Sequence, residues 1–591
     1  MDNIPARKDI EEKYKWAIED MLESDDAWEK LYKEVDKAVP ELLKFKGEIS
    51  RSGDSLLAFL KKLYKLEEKA ERLVVYSKMK KDEDNDVPKY QDMFMRAASL
   101  NMKFSATVSF FAPELLASDE KTILGFIDNT KGLEKYDFVI KEILRERPHT
   151  LSAAEEEIIA KASQALESSH ETYIQLTNTE LQFPKITVDG KKVQISDENF
   201  VSFLRSEDRN VRRTAFKAMF ETYGKNKNAI SSCFIGNLKT TAFYADVGKY
   251  ENARELYLFG DDVPGSVYDN LLKTIDDNLE VLGDYLKLRK RILKVKDLHM
   301  YDLYVPIAEN DGKKYTFEEA REIVLKALEP MGEEYVKIAR EGLYSRWADV
   351  CENKGKTSGA YSWGCYGCHP FMLLNWQGTI NDVFTLIHEL GHSMHTYYSD
   401  KNQPYHYAQY AIFAAEVAST VNENLLIRYL LGQPGANKPY LINHFLEEFR
   451  TTIFRQAMFA EFEYKAHSLF GANGAVTGEE LSKLYYDINK KYYGKQVKVD
   501  ELIANEWMRI PHFYTPFYVY KYATGFSCAV AFSKMILEGK KDGYMRFLKS
   551  GGSDHPLNLL KRAGVDMNTP APIESAMQEF GMYVRELEKL I

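Results

Sequence analysis

Apolar residues recur at spacings of three and four, with Lys and Glu between them, over residues 25–43, 54–79, 153–177 and 317–342. That period matches the turn of an α-helix and predicts amphipathic helices there. Two stretches break the pattern. In 181–196, Ile186-Thr187-Val188 and Val193-Gln194-Ile195 flank Asp189-Gly190, a hairpin signal because Gly accepts the positive φ of a tight turn. This hairpin marks a boundary between an N-terminal helical lobe, 1–195, and a second domain, 196–591. In 358–375, Gly359, Gly364, Gly367 and Pro370 are scattered among aromatic and aliphatic residues, which predicts one or two short strands. No fixed-period repeat occurs, so a regular helical solenoid is not expected.

Composition narrows the function classes. The chain has 591 residues, more than one hydrophobic core usually serves, with 45% hydrophobic and 28% charged residues, as in ordinary globular proteins. Its net charge of −10 lacks the basic footprint of nucleic-acid binding. The run Lys78-Met79-Lys80-Lys81, followed at once by Asp82, Glu83 and Asp84, reads as a solvated surface loop. MDNIPARKDIEEKYKW has no apolar stretch and no small-residue cleavage site, so a secretory signal is not expected. No window is apolar enough for a membrane span. Five cysteines, an odd number, fit a reducing compartment, and the cytoplasm is the expected location.

The chemistry is carried by His388-Glu389-Leu390-Gly391-His392, an H-E-x-x-H pattern. On a helix, positions four apart share a face, so both imidazoles reach one cation while Glu389 is set aside to act on a metal-bound water. Thr379 and Asp382 form a capping-box pair, and Val383, Leu386, Ile387, Leu390 and Met394 form a buried stripe. A catalytic zinc takes three protein ligands and keeps one position open. Residues 410–431 read as a second helix, where Ala411, Ala414, Ala415 and Ala418 permit close approach to a neighbour. Glu416 stands inside this Ala-rich run, an odd position for a carboxylate unless a cation faces it. Glu423 falls on the same face. It is either a partner that orients a ligating histidine or an ordinary exposed glutamate. His395 reads as a packing or supporting histidine.

HELGHSMH, together with AAEVASTVNE, GAYSWGCYGCHPFMLLNWQGTINDVF and RIPHFYTPFYVYKYATG, resembles the oligopeptidase family of thimet oligopeptidase and neurolysin, and most closely its bacterial branch, oligoendopeptidase F. The resemblance covers nearly the whole chain, starting from RKDIEEKYKW. It implies a mainly α fold of two helical lobes enclosing a deep channel, with a small sheet beside the active-site helix. It implies one zinc ion per chain, held by His388, His392 and Glu416, and endopeptidase action on oligopeptides. His512 and Tyr520 match a substrate-contacting histidine and tyrosine of the family, suited to donate hydrogen bonds to the oxyanion of peptide hydrolysis. This chain is shorter between the two, so Tyr514 and Tyr518 also qualify as substrate contacts. Thr515 is expected to cap a helix starting at Pro516. In the family, the segment containing Gly359, Ala360 and Tyr361 is an edge strand to which an extended substrate adds.

Three other readings compete. Cys365-Tyr366-Gly367-Cys368-His369 fits the haem-attachment pattern C-x-x-C-H, with nothing cytochrome-like around it. A helical zinc carboxypeptidase would need a cation for the terminal carboxylate, with Arg509 and Lys521 as candidates. A non-catalytic peptide- or metal-binding scaffold would have no need of Glu389.

Overall fold

The computed structural model describes residues 4–310 and 312–591. Helices make up 71% of the chain and strands 3%, so the fold is mainly α. The chain forms two compact units, each built from three separate segments. The first comprises Met1–Thr150, Gly312–Tyr429 and Phe532–Gly564, and the second Leu151–Asp311, Leu430–Ala531 and Val565–Ile591. Among the described residues, seven short strands occur: β1 Lys185–Val188, β2 Lys191–Gln194, β3 Leu298–His299, β4 Ala348–Asp349, β5 Tyr361–Trp363, β6 Phe371–Leu373 and β7 Val497–Lys498. They form an antiparallel hairpin (β1–β2), a parallel pair (β3–β7) and a three-stranded sheet in the order β4-β6-β5.

In the first unit, the long helix Gly53–Glu83 buries Leu56, Phe59, Leu60, Leu63 and Leu73, the three-and-four spacing that its sequence carries. Trp16, Trp28 and Val35 join this core, as do Phe371 and Leu373 of β6. The sheet therefore packs into the helical core. Asp349 of β4 binds the N-terminal segment to this core. Its carboxylate, 1% exposed, accepts from Arg7 Nη1 at 2.7 Å and pairs with Lys356 Nζ at 2.7 Å. Trp16 Nε1 donates to Glu83 at 2.7 Å.

Three expectations need correction. The run around Lys78–Lys81 is no solvated loop, because the helix continues to Glu83 with Met79 and Asp82 buried. Asp82 pairs with Lys78 one turn back and accepts from Thr357 Oγ1 at 2.8 Å and from the Tyr361 hydroxyl at 2.9 Å, so the segment around β5 covers it. The expected helix over 317–342 is two, Phe317–Ala327 and Glu333–Tyr344. Pro330, which lacks an N–H, and Gly332, at φ 87°, interrupt the ladder. The helix begun at Asp25 ends at Ala38 and tightens to a 3₁₀ turn around Pro40.

In the second unit, Asp189 and Gly190 adopt φ 49° and 76°, the positive pair that a two-residue hairpin requires, with Val188 paired to Lys191. Several buried charges there are matched. Arg455 holds Glu506 at 2.7 Å, and Arg289 and Arg450 hold Glu447 at 3.1 and 2.8 Å.

Asp349→Asn removes the negative partner of Lys356, whose side chain is 0% exposed. The expected loss is about 3–5 kcal/mol, read as a lower urea midpoint; an unchanged midpoint would refute the role. Arg7 and Lys356 hold the Asp349 pKa below the ordinary carboxylate range against the opposing effect of burial. Its contribution is therefore present at neutral pH and lost as pH falls through that depressed value. The variant lacks that part of the acid sensitivity.

Candidate metal centre and active site

The helix Ile380–Asn402 starts where the sequence says it should. Thr379 and Asp382 close a reciprocal capping box, with the Thr379 N–H donating to the carboxylate at 2.8 Å. Val383, Leu386, Ile387, Leu390 and Met394 are all fully buried. That stripe fixes the rotation of the helix and turns His388 and His392 towards the helix Ile412–Leu431. The two helices meet backbone to backbone. A Cβ at Gly391 would lie 2.6 Å from Ser419 Cα and 2.7 Å from the Ala418 carbonyl. Asn422 reinforces the contact by donating to the Ile387 carbonyl at 3.2 Å, while the Tyr335 hydroxyl donates to Asn422 at 3.1 Å.

Across this contact, three donor atoms converge. His388 Nε2 and His392 Nε2 are 3.2 Å apart, and Glu416 Oε2 lies 3.5 and 3.4 Å from them. Two nitrogens and an oxygen, each about 2.0–2.1 Å from a tetrahedral zinc, would be separated by about 3.3 Å. The donor set thus fits zinc in both chemistry and spacing. Glu423 Oε1 sits 3.1 Å from His388 Nδ1. Donation from that nitrogen leaves the Nε2 lone pair for a metal. The side chain of Glu423 is 28% exposed, but it is engaged.

The electrostatics favour positive charge here. Burial lowers the His388 pKa, yet Glu423, Glu389 and Glu416 outweigh it and push it up to about 9. Burial would raise Glu416, but His392 and His388 hold it at about 2. Glu389 is 7% exposed, and burial raises its pKa, the direction that makes a carboxylate a better proton acceptor. His395 is stacked on Tyr410 at 3.7 Å, and burial drives its pKa down to about 3. It is a neutral packing residue.

Among the described residues, β5 pairs only with β6 and forms one edge of its sheet. Gly359 and Ala360 precede it. The Gly359 carbonyl accepts from Asn375 at 2.8 Å, and Tyr361 opens the strand. Ser362 and Ser393 hydroxyls, 2.8 Å apart, join β5 to the helix Ile380–Asn402 one residue past His392. Between β5 and β6, the Cys368 N–H donates to the Cys365 carbonyl at 3.2 Å, across Gly367 at φ 80°. Both cysteines are free, and His369 stacks on Trp347 at 5.1 Å. The haem-like pattern is a tight turn.

The remaining candidates lie in the second unit. His512 is exposed on the 3₁₀ turn Pro511–Tyr514, its ring 6.4 Å from Tyr518 and 6.2 Å from Tyr522. Tyr514 is buried and stacked on Tyr173 at 4.2 Å. Tyr520 is fully buried against Tyr268 at 5.1 Å, so it does not share the surface of His512. The helix expected from Pro516 begins instead at Tyr520. Phe517 adopts φ 54° and donates its N–H to the buried carboxylate of Glu463 at 2.8 Å, which diverts the backbone from helical geometry.

The family model described as "Peptidase family M3" matches residues 202–579, and a second, "Oligopeptidase F", matches residues 114–183. The chain belongs to peptidase family M3. This M3 peptidase is 45% identical to Oligopeptidase PepF of Bacillus subtilis, over 100% of this chain and 89% of that protein. It is 39% identical to Group B oligopeptidase PepB of Streptococcus agalactiae, over 99% and 98%. The solved structure of oligoendopeptidase-F from Enterococcus faecium superposes with a TM-score of 0.74 at 36% identity, covering 96% of this chain and 99% of that one. A solved structure from Chlamydophila abortus gives 0.94 at 34% identity over the whole of both chains.

Sequence reasoning did not single out Gly391, Ser419 or Asn422 as parts of the site. Gly391 occupies one of the two unspecified positions of H-E-x-x-H, where only the neighbouring helix reveals its role. In this M3 peptidase, Gly391→Ala is expected to force the helices apart at backbone atoms. The cost is about 1–3 kcal/mol, measured as a lower melting temperature with reduced metal content; wild-type values for both would refute the close-contact account.

Proposed function

We propose that this M3 peptidase is a zinc metalloendopeptidase that hydrolyses internal bonds of oligopeptides. The observation that carries the reading is the convergence of His388 Nε2, His392 Nε2 and Glu416 Oε2 within 3.2–3.5 Å of one another. Zinc in this donor set keeps a net positive charge and, when bound, supplies a Lewis acid that acidifies water and polarises the substrate carbonyl. Glu389 takes the proton from the attacking water and delivers it to the leaving amine. Glu423 holds the His388 ring in the ligating tautomer. The Ser362–Ser393 link keeps β5 beside the metal helix, and its free edge, with Gly359, Ala360 and Tyr361, receives the substrate backbone.

The oligopeptide class and internal cleavage rest on the relatives called oligopeptidase and oligoendopeptidase. The assignment of His512 and Tyr520 as oxyanion donors rests on the resemblance alone. Of the two, only His512 offers an exposed side chain, so His512→Ala is expected to reduce turnover more than Tyr520→Phe. Division into an N-terminal lobe, 1–195, and a catalytic domain, 196–591, is part of the same reading, supported by family matches that fall on either side of residue 195. Five free cysteines and the lack of any described helix able to cross a membrane are consistent with a cytoplasmic location. The carboxypeptidase alternative is weakened. Arg509 is paired with Asp197 and Lys521 with Asp261, each at 2.6 Å, so neither cation is free for a terminal carboxylate.

Glu389→Gln is expected to retain stoichiometric zinc and lose at least about a hundredfold in turnover, by metal analysis and by mass spectrometry of terminally blocked peptides. Wild-type turnover in that variant would overturn the mechanism. Glu416→Ala is expected to lose zinc, and Glu423→Gln to bind it about tenfold to a hundredfold more weakly. Full zinc content in Glu416→Ala would move the third ligand elsewhere.

A further inference from the structure

Four tyrosines and a histidine crowd residues 512–522, and the backbone decides which of them meet. Tyr514 and Tyr520 are buried, whereas His512 is exposed and Tyr518 and Tyr522 are half-buried. The His512 ring lies 6.4 Å from Tyr518 and 6.2 Å from Tyr522, and the two tyrosines are 5.4 Å apart. This three-ring group hinges on Phe517, the residue before Tyr518. Phe517 adopts φ 54°, a region that a bulky L-residue enters only under constraint. Its ring is buried 5.0 Å from His467 and 5.8 Å from Tyr268, and its N–H donates to Glu463 Oε1 at 2.8 Å. The left-handed residue turns the chain between the 3₁₀ turn Pro511–Tyr514 and the helix Tyr520–Leu537. A negative φ at 517 would send Tyr518 in another direction.

Glu463 is a costly residue to place there. It stands on the helix Arg455–Asn473 and is 0% exposed. Its Oε1 accepts from Phe517, but among the described residues Oε2 makes no hydrogen bond. Burial pushes its pKa up to about 8, so at neutral pH it is held as the uncharged acid. A methionine would fill much the same volume without burying an unpaired oxygen. What the acid alone supplies is a fixed acceptor for the Phe517 N–H. A buried group left half-satisfied, bonded to a strained residue beside accessible rings, marks a functional constraint more than a packing one.

We propose that Glu463 is a positioning residue for peptide hydrolysis: by holding the Phe517 backbone left-handed, it sets Tyr518, and the helix that carries Tyr522, against His512. The proposal rests on the reading above in which His512 donates to the oxyanion, and Glu463 acts on that group through the Phe517 backbone. His388, His392 and Glu416 belong to the other compact unit, so changes at Glu463 leave the metal ligands intact.

The test compares Glu463→Met, which removes the acceptor at nearly constant volume, with Glu463→Gln, which keeps an acceptor oxygen in place. Kinetics on a terminally blocked oligopeptide are measured well below each melting temperature. In Glu463→Met, kcat is expected to fall about tenfold to a hundredfold, with wild-type zinc content and, in its crystal structure, a negative φ at Phe517. Glu463→Gln is expected to restore most of the loss. Added to His512→Ala, Glu463→Met is expected to cost little more, because both act on one group; a role in packing alone would multiply the two losses. Wild-type kcat in Glu463→Met, equal losses in the Met and Gln variants, multiplied losses in the double variant, or a φ that stays positive without the acceptor each overturns the proposal. If Glu463→Met does not fold, Glu463→Asp, which withdraws the acceptor by one methylene, is held to the same kinetic expectations. Wild-type turnover in His512→Ala would sink the oxyanion reading and the proposal with it, whereas a slow His512→Ala beside a fully active Glu463→Met sinks the proposal alone.

Discussion

Two helices can present ligands to one small cation only if their backbones come close, and the rest of the catalytic arrangement depends on the contact between Gly391 and the Ala418–Ser419 turn. Side chains of His and Glu have fixed reach. If a Cβ at position 391 held the helices even an ångström further apart, the 3.4 and 3.5 Å separations between Glu416 and the imidazoles would exceed what a tetrahedral ion spans. The Asn422–Ile387 and Tyr335–Asn422 hydrogen bonds act on the same spacing from a second direction. The hydrophobic stripe of the first helix sets its rotation, and the glycine sets its distance.

The same close packing concentrates negative charge. Glu389, Glu416 and Glu423 all act on His388, and in a partly buried site such neighbours are tolerable only around a positive centre. On the proposed reading, a divalent cation held by His388, His392 and Glu416 would balance this charge. Other buried carboxylates are paired with cations, as at Asp349 with Arg7 and Lys356 or Glu506 with Arg455.

Much of this was legible in the sequence. H-E-x-x-H, its capping box and its buried stripe are local patterns, and the Asp189-Gly190 turn is encoded in two residues. Glu416 was visible because a carboxylate is conspicuous in an alanine-rich run. The failures have a common cause: they depend on tertiary partners. Asp82 looks like part of a solvated acidic run until Thr357 and Tyr361 arrive from beyond residue 350. Thr515-Pro516 has the local form of a helix start, but the buried carboxylate of Glu463 captures the Phe517 N–H and delays the helix to Tyr520. Gly391 carries no local signal at all, since glycine inside a helix pattern reads only as a weakness.

Each compact unit is assembled from three non-adjacent stretches of chain, which bears on synthesis. Domains generally fold as units while the ribosome is still extending the chain. Here the first unit lacks its final segment until residue 564 has emerged, and the second lacks its own until Val565–Ile591 has followed. Part of the surface of each unit therefore waits for a late segment, so exposure to aggregation and to chaperones depends on chain order as well as on final stability.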